Sequence, residues 1–280
     1  MIVRFALFSF ALAISAQTQQ NPSPMTENTR PHPRIEKRET PGLRVALSTG
    51  ELFQPAGLKH GKKTPLLIHF HGGTWVPEQV IASKHKVAVL AVQLGSGSSV
   101  YARPFREPAS FAALLDEAQR AAHTEFSPIV ISGWSAGYGA IREILRVDAN
   151  VPKIDAVILI DGLHVSYNPE GKPGPLQPEG LKPFLDYARQ AVAGHKRMLI
   201  LHSEIFPGTY ASTTETAEWL LKELNIKRHP VLKKGPMGTQ QLSEAKSGKF
   251  EVLGFAGNSA PDHVDLLHSL GSWLARVRFP

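Results

Sequence analysis

The sequence predicts an α/β protein with a doubly wound, mostly parallel sheet of about eight strands and helices on both faces. Short aliphatic runs alternate with longer segments whose apolar residues recur at the helical period. The run 157–160 is apolar at every position, which is typical of a strand covered on both faces of a parallel sheet. A hydrophobic content of 42% in 280 residues is enough to bury one such core.

Eight strands and five helices follow from this pattern. The first two strands, at 43–48 and 51–54, are expected to form an opening hairpin. The helix predicted at 110–123 carries Phe111 and Leu114 on one face, as a helix that packs on a sheet does. The remaining strands are predicted at 65–70, 87–94, 128–132, 154–160, 198–202 and 250–255, and the remaining helices at 136–147, 181–193, 214–224 and 263–277.

The N-terminal residues predict export. Arg4 precedes a short apolar stretch, and the small residues Ser15 and Ala16 are followed by polar residues. We therefore expect a signal peptide over 1–16, cleaved after Ser15 or Ala16, and a periplasmic or extracellular protein. About ten apolar residues are too few for a permanent bilayer span, so no stable membrane anchor is expected.

The composition of the chain limits the structures, metal sites and partners that can be expected. Residues 17–40 are mostly polar and contain several prolines, which predicts a disordered linker, and 41–280 are expected to form one folded domain. The absence of cysteine excludes disulfides, thiolate metal sites and a cysteine nucleophile. The formal charge of +7 is spread along the chain without a basic, aromatic-rich helix, so no nucleic-acid partner is expected.

The most informative segment is Gly133-Trp134-Ser135-Ala136-Gly137, which lies between a β-branched strand and an amphipathic helix. In a Gly-x-Ser-x-Gly pattern with this context, the serine occupies a strained turn that lifts its hydroxyl above the sheet edge. Glycine at the flanking positions lets strand and helix approach closely. The start of the helix then directs partial positive charge at an oxyanion beside the serine. We interpret Ser135 as a nucleophile.

A second segment, His71-Gly72-Gly73-Thr74, follows the third predicted strand. Glycines at this point allow backbone amides to turn inward and donate to a developing oxyanion. The expected oxyanion donors are the amide of Ala136 and the amide of Gly73 or Thr74.

Two histidines on the third strand raise the question of a metal. His69 and His71 alternate along the strand, but no carboxylate-rich or His-x-x-x-His pattern accompanies them. We expect neither a metal nor an organic cofactor.

Together the two motifs resemble the α/β-hydrolase fold superfamily of serine esterases and lipases, and the resemblance covers 43–280. That family places its catalytic residues in the chain order serine, acid, histidine, with the histidine after the last strand. The resemblance implies that His263, which follows the strand at 250–255, is the general base that takes the proton of Ser135. The connection 164–180 is too short to form a large lid, so a domain without a large cap is expected.

The acid of the triad has two main candidates. Asp161 stands directly after the sixth predicted strand, and Glu204 stands two residues past His202 at the end of the seventh. Both lie at carboxyl ends of strands, where open α/β sheets place their sites. The family usually uses the seventh strand, and some lipases use the sixth. The commoner loop pattern, a His-Gly followed by Asp, is absent after His202, and Asp161 lies one strand beyond the nucleophile strand. We therefore favour Asp161 and keep Glu204 as the alternative. Asp262 or Asp265 would be the remaining choice.

These residues predict a secreted or periplasmic serine hydrolase that cleaves carboxylic esters through an acyl-enzyme on Ser135. The expected partner is a small-molecule or polymeric ester. A serine peptidase or a polymer-directed esterase would use the same triad, and a binding module without catalysis is the alternative of another class. Three connections are candidates for the borders of the substrate site: 164–180 with Tyr167, 208–214, and 227–249.

Overall fold

Ten strands join in a single sheet in the computed structural model, which describes residues 31–58, 63–82 and 86–280. In chain order they are β1 (Gly42–Ala46), β2 (Glu51–Pro55), β3 (Thr64–Phe70), β4 (Ala88–Val92), β5 (Phe126–Trp134), β6 (Ala156–Ile160), β7 (Arg197–His202), β8 (His229–Lys234), β9 (Gln240–Ser247) and β10 (Phe250–Phe255). Across the sheet the order is β1-β2-β4-β3-β5-β6-β7-β10-β9-β8.

The central part of the sheet is parallel. Strands β4, β3, β5, β6, β7 and β10 pair in parallel in that order, whereas β1 and β2 at one edge and β9 and β8 at the other are antiparallel. Every residue of β4 and β6 is buried. Because parallel strands are covered on both faces, an unbroken apolar run is what such a strand requires.

Helices cover both faces of the sheet. Among the described residues the α-helices are α1 (Trp75–Ala82), α2 (Ser98–Ala102), α3 (Ser110–Ala122), α4 (Tyr138–Leu145), α5 (Lys182–Val192), α6 (Thr213–Glu223), α7 (Ala260–His268) and α8 (Leu270–Arg276). Helices α2 to α6 bury residues such as Phe111 and Phe184 in one core. Helices α1, α7 and α8 bury residues such as Leu266 and Trp273 in a second core on the opposite face. The predicted doubly wound architecture is confirmed.

The predicted count of about eight strands is wrong, since β8 and β9 lie in the connection expected to be a loop. Five of the six residues of β8 are exposed, and β9 is mostly polar, so neither has the apolar alternation that marks a strand. Helices α1 and α2, of eight and five residues, were also not predicted because they are short. The helix predicted at 263–277 is divided into α7 and α8 at Ser269.

The N-terminal predictions fall largely on residues that are not described. The predicted signal peptide and residues 17–30 of the predicted linker lie outside the described residues. Residues 31–40 have no helix or strand, but they contact α7, where His32 Nδ1 lies 2.7 Å from Asp265 Oδ2 and the Ile35 amide donates to His268 Nδ1 at 3.2 Å. Within the described chain, no helix is long and apolar enough to cross a bilayer, and no insertion forms a separate cap domain.

Candidate active site

Ser135 lies in the sharp turn between β5 and α4. Its φ is +47°, a left-handed conformation that residues other than glycine seldom adopt. A Cβ on Gly137 would lie 2.2 Å from the carbonyl oxygen of Phe70, and a Cβ on Gly133 would lie 3.0 Å from Ile141 Cδ1. Glycine is therefore required at 137 and favoured at 133, because the strand and the helix meet too closely for a side chain. This is the strained turn expected from the Gly-x-Ser-x-Gly pattern.

The loop after β6 packs directly against this turn. A Cβ on Gly162 would lie 2.2 Å from the carbonyl oxygen of Ser135, so the two backbones are in contact. Asp161, one residue earlier, also has a positive φ, of +45°. The sharp bend at the end of β6 thus brings the Asp161 carboxylate to the neighbourhood of the serine turn.

Asp161 is the carboxylate that contacts His263. His263 Nδ1 and Asp161 Oδ2 are 2.7 Å apart. Ser203 supports the same carboxylate, because its hydroxyl donates to Oδ2 at 2.6 Å and its backbone amide donates to Oδ1 at 2.9 Å. A carboxylate only accepts hydrogen bonds, so the neutral imidazole carries its proton on Nδ1 and its lone pair on Nε2.

The charge of Asp161 depends on opposing effects. Burial by itself would raise the pKa of the Asp161 carboxyl, but the hydrogen bond and charge of His263 and the two hydrogen bonds from Ser203 outweigh burial and lower that pKa. Asp161 is therefore ionised at neutral pH. In that state it can hold His263 in one tautomer and stabilise the imidazolium that forms when His263 accepts a proton.

Glu204, the alternative acid, is engaged elsewhere. Its side chain is exposed, and its Oε2 accepts a hydrogen bond from the Gly257 amide at 3.0 Å. The Glu204 amide in turn donates to the Gly257 carbonyl at 2.8 Å. These two bonds tie the loop after β7 to the loop after β10, so Glu204 joins two loops and has no hydrogen bond with His263.

His263 lies in the first turn of α7, beside two further carboxylates with other partners. Asp262 accepts hydrogen bonds from the Ser259 amide at 3.1 Å and the Ser259 hydroxyl at 2.6 Å in a capping box at the start of α7. Asp265 is hydrogen-bonded to His32. Neither of them hydrogen-bonds to His263.

Trp134, and not Ser135, is the residue of the serine turn that contacts His263. Within the described residues, the Ser135 hydroxyl makes no hydrogen bond. Trp134, the residue before the serine, has its ring centroid 4.5 Å from that of His263, and its Nε1 donates to the His263 carbonyl at 3.0 Å. Contacts between nucleophile and base are often loose in unliganded hydrolases and tighten when substrate binds.

His71 also lies against Trp134. The two ring centroids are 5.1 Å apart and the ring planes differ by 14°. His71 Nδ1 is 2.8 Å from the hydroxyl oxygen of Tyr101. Burial lowers the pKa of His71, and the nearby charge of His263 lowers it further. His71 is therefore a neutral ring that packs beside the site at neutral pH.

The His-Gly-Gly loop turns as expected, but its amides already have an acceptor. His71, Gly72 and Gly73 all have positive φ angles, of 71°, 100° and 83°. The amides of Gly72 and Gly73 both donate to Gln93 Oε1, at 3.0 and 3.2 Å. The amide of Gly73, an expected oxyanion donor, is thus hydrogen-bonded to Gln93. Gln93 follows β4, and β4 lies on the opposite side of β3 from β5. Ala136, another expected donor, lies in the 3₁₀ turn that leads into α4.

Histidine and carboxylate side chains are the groups that could hold a metal ion in this chain, since it has no cysteine. His69 Nδ1 lies 2.7 Å from Ser132 Oγ in the core, and burial lowers the pKa of His69 to about 4. His69 is thus committed to a buried hydrogen bond and does not share a site with His71, which follows β3 and contacts Tyr101. In the described part of the chain, one group offers ligand atoms within 4.8 Å of one another, namely His32, Asp262 and Asp265. Those three already cap α7 or pair with each other.

A cavity of about 430 Å³ lies at the carboxyl ends of β7 and β10. Arg228 lines it and donates from Nη1 to His202 Nε2 at 2.8 Å and to Ser243 Oγ at 3.0 Å. Burial and, next in size, the charge of Arg228 lower the pKa of His202 to about 4, so His202 is neutral at pH 7. Gly254 leaves room for this cluster, because a Cβ there would lie 2.4 Å from Ser243 Oγ.

The loops expected to border the substrate site have different roles. Tyr167 is fully buried and donates to Glu215 Oε2 at 2.9 Å, so its prediction as a border residue is wrong. In the second loop, Ser212 caps α6. The third connection, 227–249, forms β8 and β9 and lines the cavity through Leu242.

Three polar residues of the site were not predicted. Ser203 holds Asp161, Gln93 accepts from the glycine loop, and Tyr101 contacts His71. Each is a single polar residue outside any motif, and its partner lies on another strand end or helix. No signal in the sequence distinguishes such a residue from a surface residue.

Comparisons with known proteins show similarity in fold only. No protein-family model matches the chain, and no curated protein matches it in sequence. Esterase 2 of Thermogutta terrifontis, phosphonylated by cyclosarin, has a TM-score of 0.49 and 16% identity over 82% of this chain and 89% of that one. An arylesterase has a TM-score of 0.43 and 16% identity over 88% and 86%. A puromycin-hydrolyzing peptidase of Mycobacterium tuberculosis has a TM-score of 0.47 and 14% identity over 85% of this chain, which spans only 40% of the peptidase.

The order of the strands and of the three predicted residues indicates the fold type. Strand β5 leads into the strained turn of Ser135, Asp161 follows β6, and His263 follows β10, the last strand. The three residues occur in the order serine, acid, histidine at the carboxyl ends of parallel strands, in a sheet with helices on both faces. A glycine-flanked serine between strand and helix, with this order of partners, is characteristic of one superfamily. The chain has the arrangement of the α/β-hydrolase fold.

Proposed function

We propose that the chain is an exported serine hydrolase that cleaves carboxylic esters through an acyl-enzyme on Ser135. The observation that carries this proposal is the 2.7 Å hydrogen bond between Asp161 and His263, formed beside the strained turn of Ser135. A buried carboxylate that orients a histidine next to a half-buried serine is the arrangement that acyl transfer requires.

The reaction begins with proton transfer from serine to histidine. His263 Nε2 takes the proton of Ser135 Oγ while that oxygen bonds to the ester carbonyl carbon and the carbonyl electrons move onto oxygen. The resulting oxyanion collapses, the bond to the alcohol oxygen breaks, and the imidazolium returns its proton to the departing alkoxide. Asp161 remains ionised and stabilises the imidazolium throughout.

The second half of the cycle hydrolyses the acyl-enzyme. His263 takes a proton from a water molecule, whose oxygen bonds to the acyl carbon. The bond between that carbon and Ser135 Oγ then breaks, and the proton returns to the serine oxygen. The carboxylic acid leaves, and the free enzyme is restored.

Stabilisation of the oxyanion is assigned to backbone amides. Ala136, with Gly73 or Thr74, supplies the donors in this proposal. Use of the Gly73 amide requires Gln93 to move away, because Gln93 Oε1 accepts from that amide in the free chain. Gln93 is exposed, so its side chain can enter solvent without opening the core.

A fluorophosphonate probe tests the nucleophile. Wild-type protein should be labelled covalently, and Ser135→Ala should not be labelled and should lose about 10⁴-fold or more in turnover of p-nitrophenyl acetate. Ser99→Ala is a matched control, because Ser99 is an exposed serine near the site and should leave labelling unchanged. Near-wild-type hydrolysis by Ser135→Ala would overturn the proposal.

The substrate class is tested with a panel of p-nitrophenyl esters, acylated polysaccharides and peptide amides. Ester turnover without amide turnover supports an esterase, while amide turnover at a similar rate would make the protein a peptidase. A folded wild-type sample that neither reacts with the probe nor hydrolyses any substrate would support a binding module.

Export is tested on protein recovered from outside the cytoplasm. We expect the mature chain to begin at Ala16 or Gln17, because these positions follow the predicted cleavage region. Mass spectrometry that finds an intact Met1 in the exported fraction would contradict this part of the proposal.

A further inference from the structure

We propose that Trp134 is a positioning residue that holds the base His263 in place and stabilises the positive charge that His263 acquires during the reaction. This inference rests on the proposed function, since it assigns a role within the same site. It adds a residue that makes no bond to the reacting atoms and acts through the base.

Trp134 makes two independent contacts with His263. The indole Nε1 donates to the His263 backbone carbonyl at 3.0 Å, and the two ring centroids are 4.5 Å apart with planes 31° from parallel. The loop after β3 makes room for the indole, because a Cβ on Gly72 would lie 3.0 Å from Trp134 Cε3. One contact therefore fixes the backbone of the base and the other places an aromatic face against its ring.

The ring contact favours the charged form of the base. The face of an indole is electronegative and attracts a cation within about 6 Å of its centroid. His263 becomes a cation only after it has taken the proton of the serine, so the attraction is stronger along the reaction path than in the resting enzyme. Asp161 contacts the edge of the imidazole at Nδ1, and Trp134 lies against its face.

Three titratable groups near the base, Asp161, His71 and His164, keep a constant charge around neutral pH. Asp161 is ionised, and burial lowers the pKa of both His71 and His164, which are therefore neutral. On the helix of the base itself, Asp262 caps α7 and Asp265 is hydrogen-bonded to His32. A change in the pH response of the base after substitution of Trp134 therefore reports on the indole.

The test compares Trp134→Phe with Trp134→Leu. Rates of p-nitrophenyl acetate hydrolysis are measured from pH 5 to pH 9, with Trp219→Leu as the control for loss of a tryptophan in α6, away from these contacts. Trp134→Leu should lower kcat about tenfold with KM changed about twofold or less, and should move the midpoint of the acid limb of kcat to lower pH. Trp134→Phe keeps an aromatic face and should retain most of the wild-type midpoint. Trp219→Leu should keep both kcat and the midpoint.

An NMR titration of the His263 ring provides a readout that does not need turnover. Its signal is assigned by its loss in His263→Asn, and its midpoint should fall in Trp134→Leu and stay near wild type in Trp134→Phe. Equal midpoints in wild type and Trp134→Leu would overturn the inference even if kcat falls, because a merely structural role lowers the rate without changing the titration. Should wild type resist the fluorophosphonate probe, the proposed function fails, while the NMR result still decides whether Trp134 stabilises the cation.

Discussion

The ends of β6 and β7 lie side by side in the sheet, and each is followed by an acidic residue, yet the two carboxylates have different environments. Asp161 follows β6 directly, is buried, and contacts His263. Glu204 lies two residues past β7, is exposed, and binds the Gly257 amide. A position at the end of a parallel strand therefore does not by itself make a carboxylate the partner of the base.

The loop after β7 supplies two hydrogen-bond donors to the Asp161 carboxylate and does not supply the carboxylate that contacts His263. The Asp161 amide donates to the Leu201 carbonyl at 2.8 Å, so the chain leaves β6 while still bonded to β7. At that point Ser203 donates twice to the Asp161 carboxylate. The neighbouring strand end thus holds the Asp161 carboxylate that follows β6.

The largest expected effect comes from Asp161→Asn. An asparagine preserves the shape but can orient the imidazole in the wrong tautomer and does not stabilise its cation, so kcat should fall about a thousandfold or more. The measurement is hydrolysis of p-nitrophenyl acetate, with a circular dichroism spectrum to show that the variant is folded. If Glu204→Gln costs more than Asp161→Asn, the assignment of the two strand ends is reversed.

A pH-dependent effect on stability is expected at the end of β7. The pKa of His202 is about 4 in the folded chain because of burial and then the charge of Arg228, below the ordinary 6.5. As the pH falls, His202 binds a proton in the unfolded chain before it does so in the folded chain. The contribution of neutral His202 to folding stability is therefore complete above pH 6.5 and is lost as the pH falls toward 4. The free energy of unfolding should fall by about 3 kcal/mol over this pH range. Urea unfolding at pH 8 and pH 4 should show a smaller drop in His202→Gln, and an identical drop would contradict a neutral His202.

Ser203→Ala tests the comparison of the two strand ends, because it removes the hydroxyl that donates a hydrogen bond to the Asp161 carboxylate. The backbone amide of residue 203 still holds Oδ1, so we expect a loss of about tenfold in kcat, equivalent to one hydrogen bond to a charged group. The pKa of Asp161 should rise because one bond to its ionised form is lost. Ser203→Thr retains the hydroxyl and should recover most of the activity. Wild-type rates in Ser203→Ala at every pH would show that the β7 loop does not support the acid.

Glu204→Gln should have the smallest effect. The glutamine side-chain oxygen can still accept from the Gly257 amide, so the tie between the two loops is kept and kcat should change by about threefold at most. Parallel assays of this variant and Asp161→Asn measure the contrast between the two strand ends directly. A loss of a hundredfold or more in Glu204→Gln would mean that its charge acts on the base.

The parts of the fold that were predictable are those with strong local patterns. The apolar run of β6 and the periodic face of α3 mark a buried strand and a packed helix in any context. Strands β8 and β9 were not predictable because β8 is exposed at the edge of the sheet and β9 is mostly polar. Strand β8 is held by pairing with β9, which pairs in turn with β10. An exposed edge strand has no apolar face for its sequence to show.

The sequence by itself determined the turn at Ser135, since β5, the two glycines and α4 are consecutive and the turn is governed by local sterics. The tertiary structure alone decided which carboxylate contacts the base, because Asp161 and His263 are 102 residues apart and Glu204 has an equally plausible place in the sequence. It also decided that Gln93 holds the Gly73 amide and that Trp134 lies against the base. Hydrogen bonds between side chains on different strand ends depend on how neighbouring loops turn and bury them, and no short stretch of sequence contains that information.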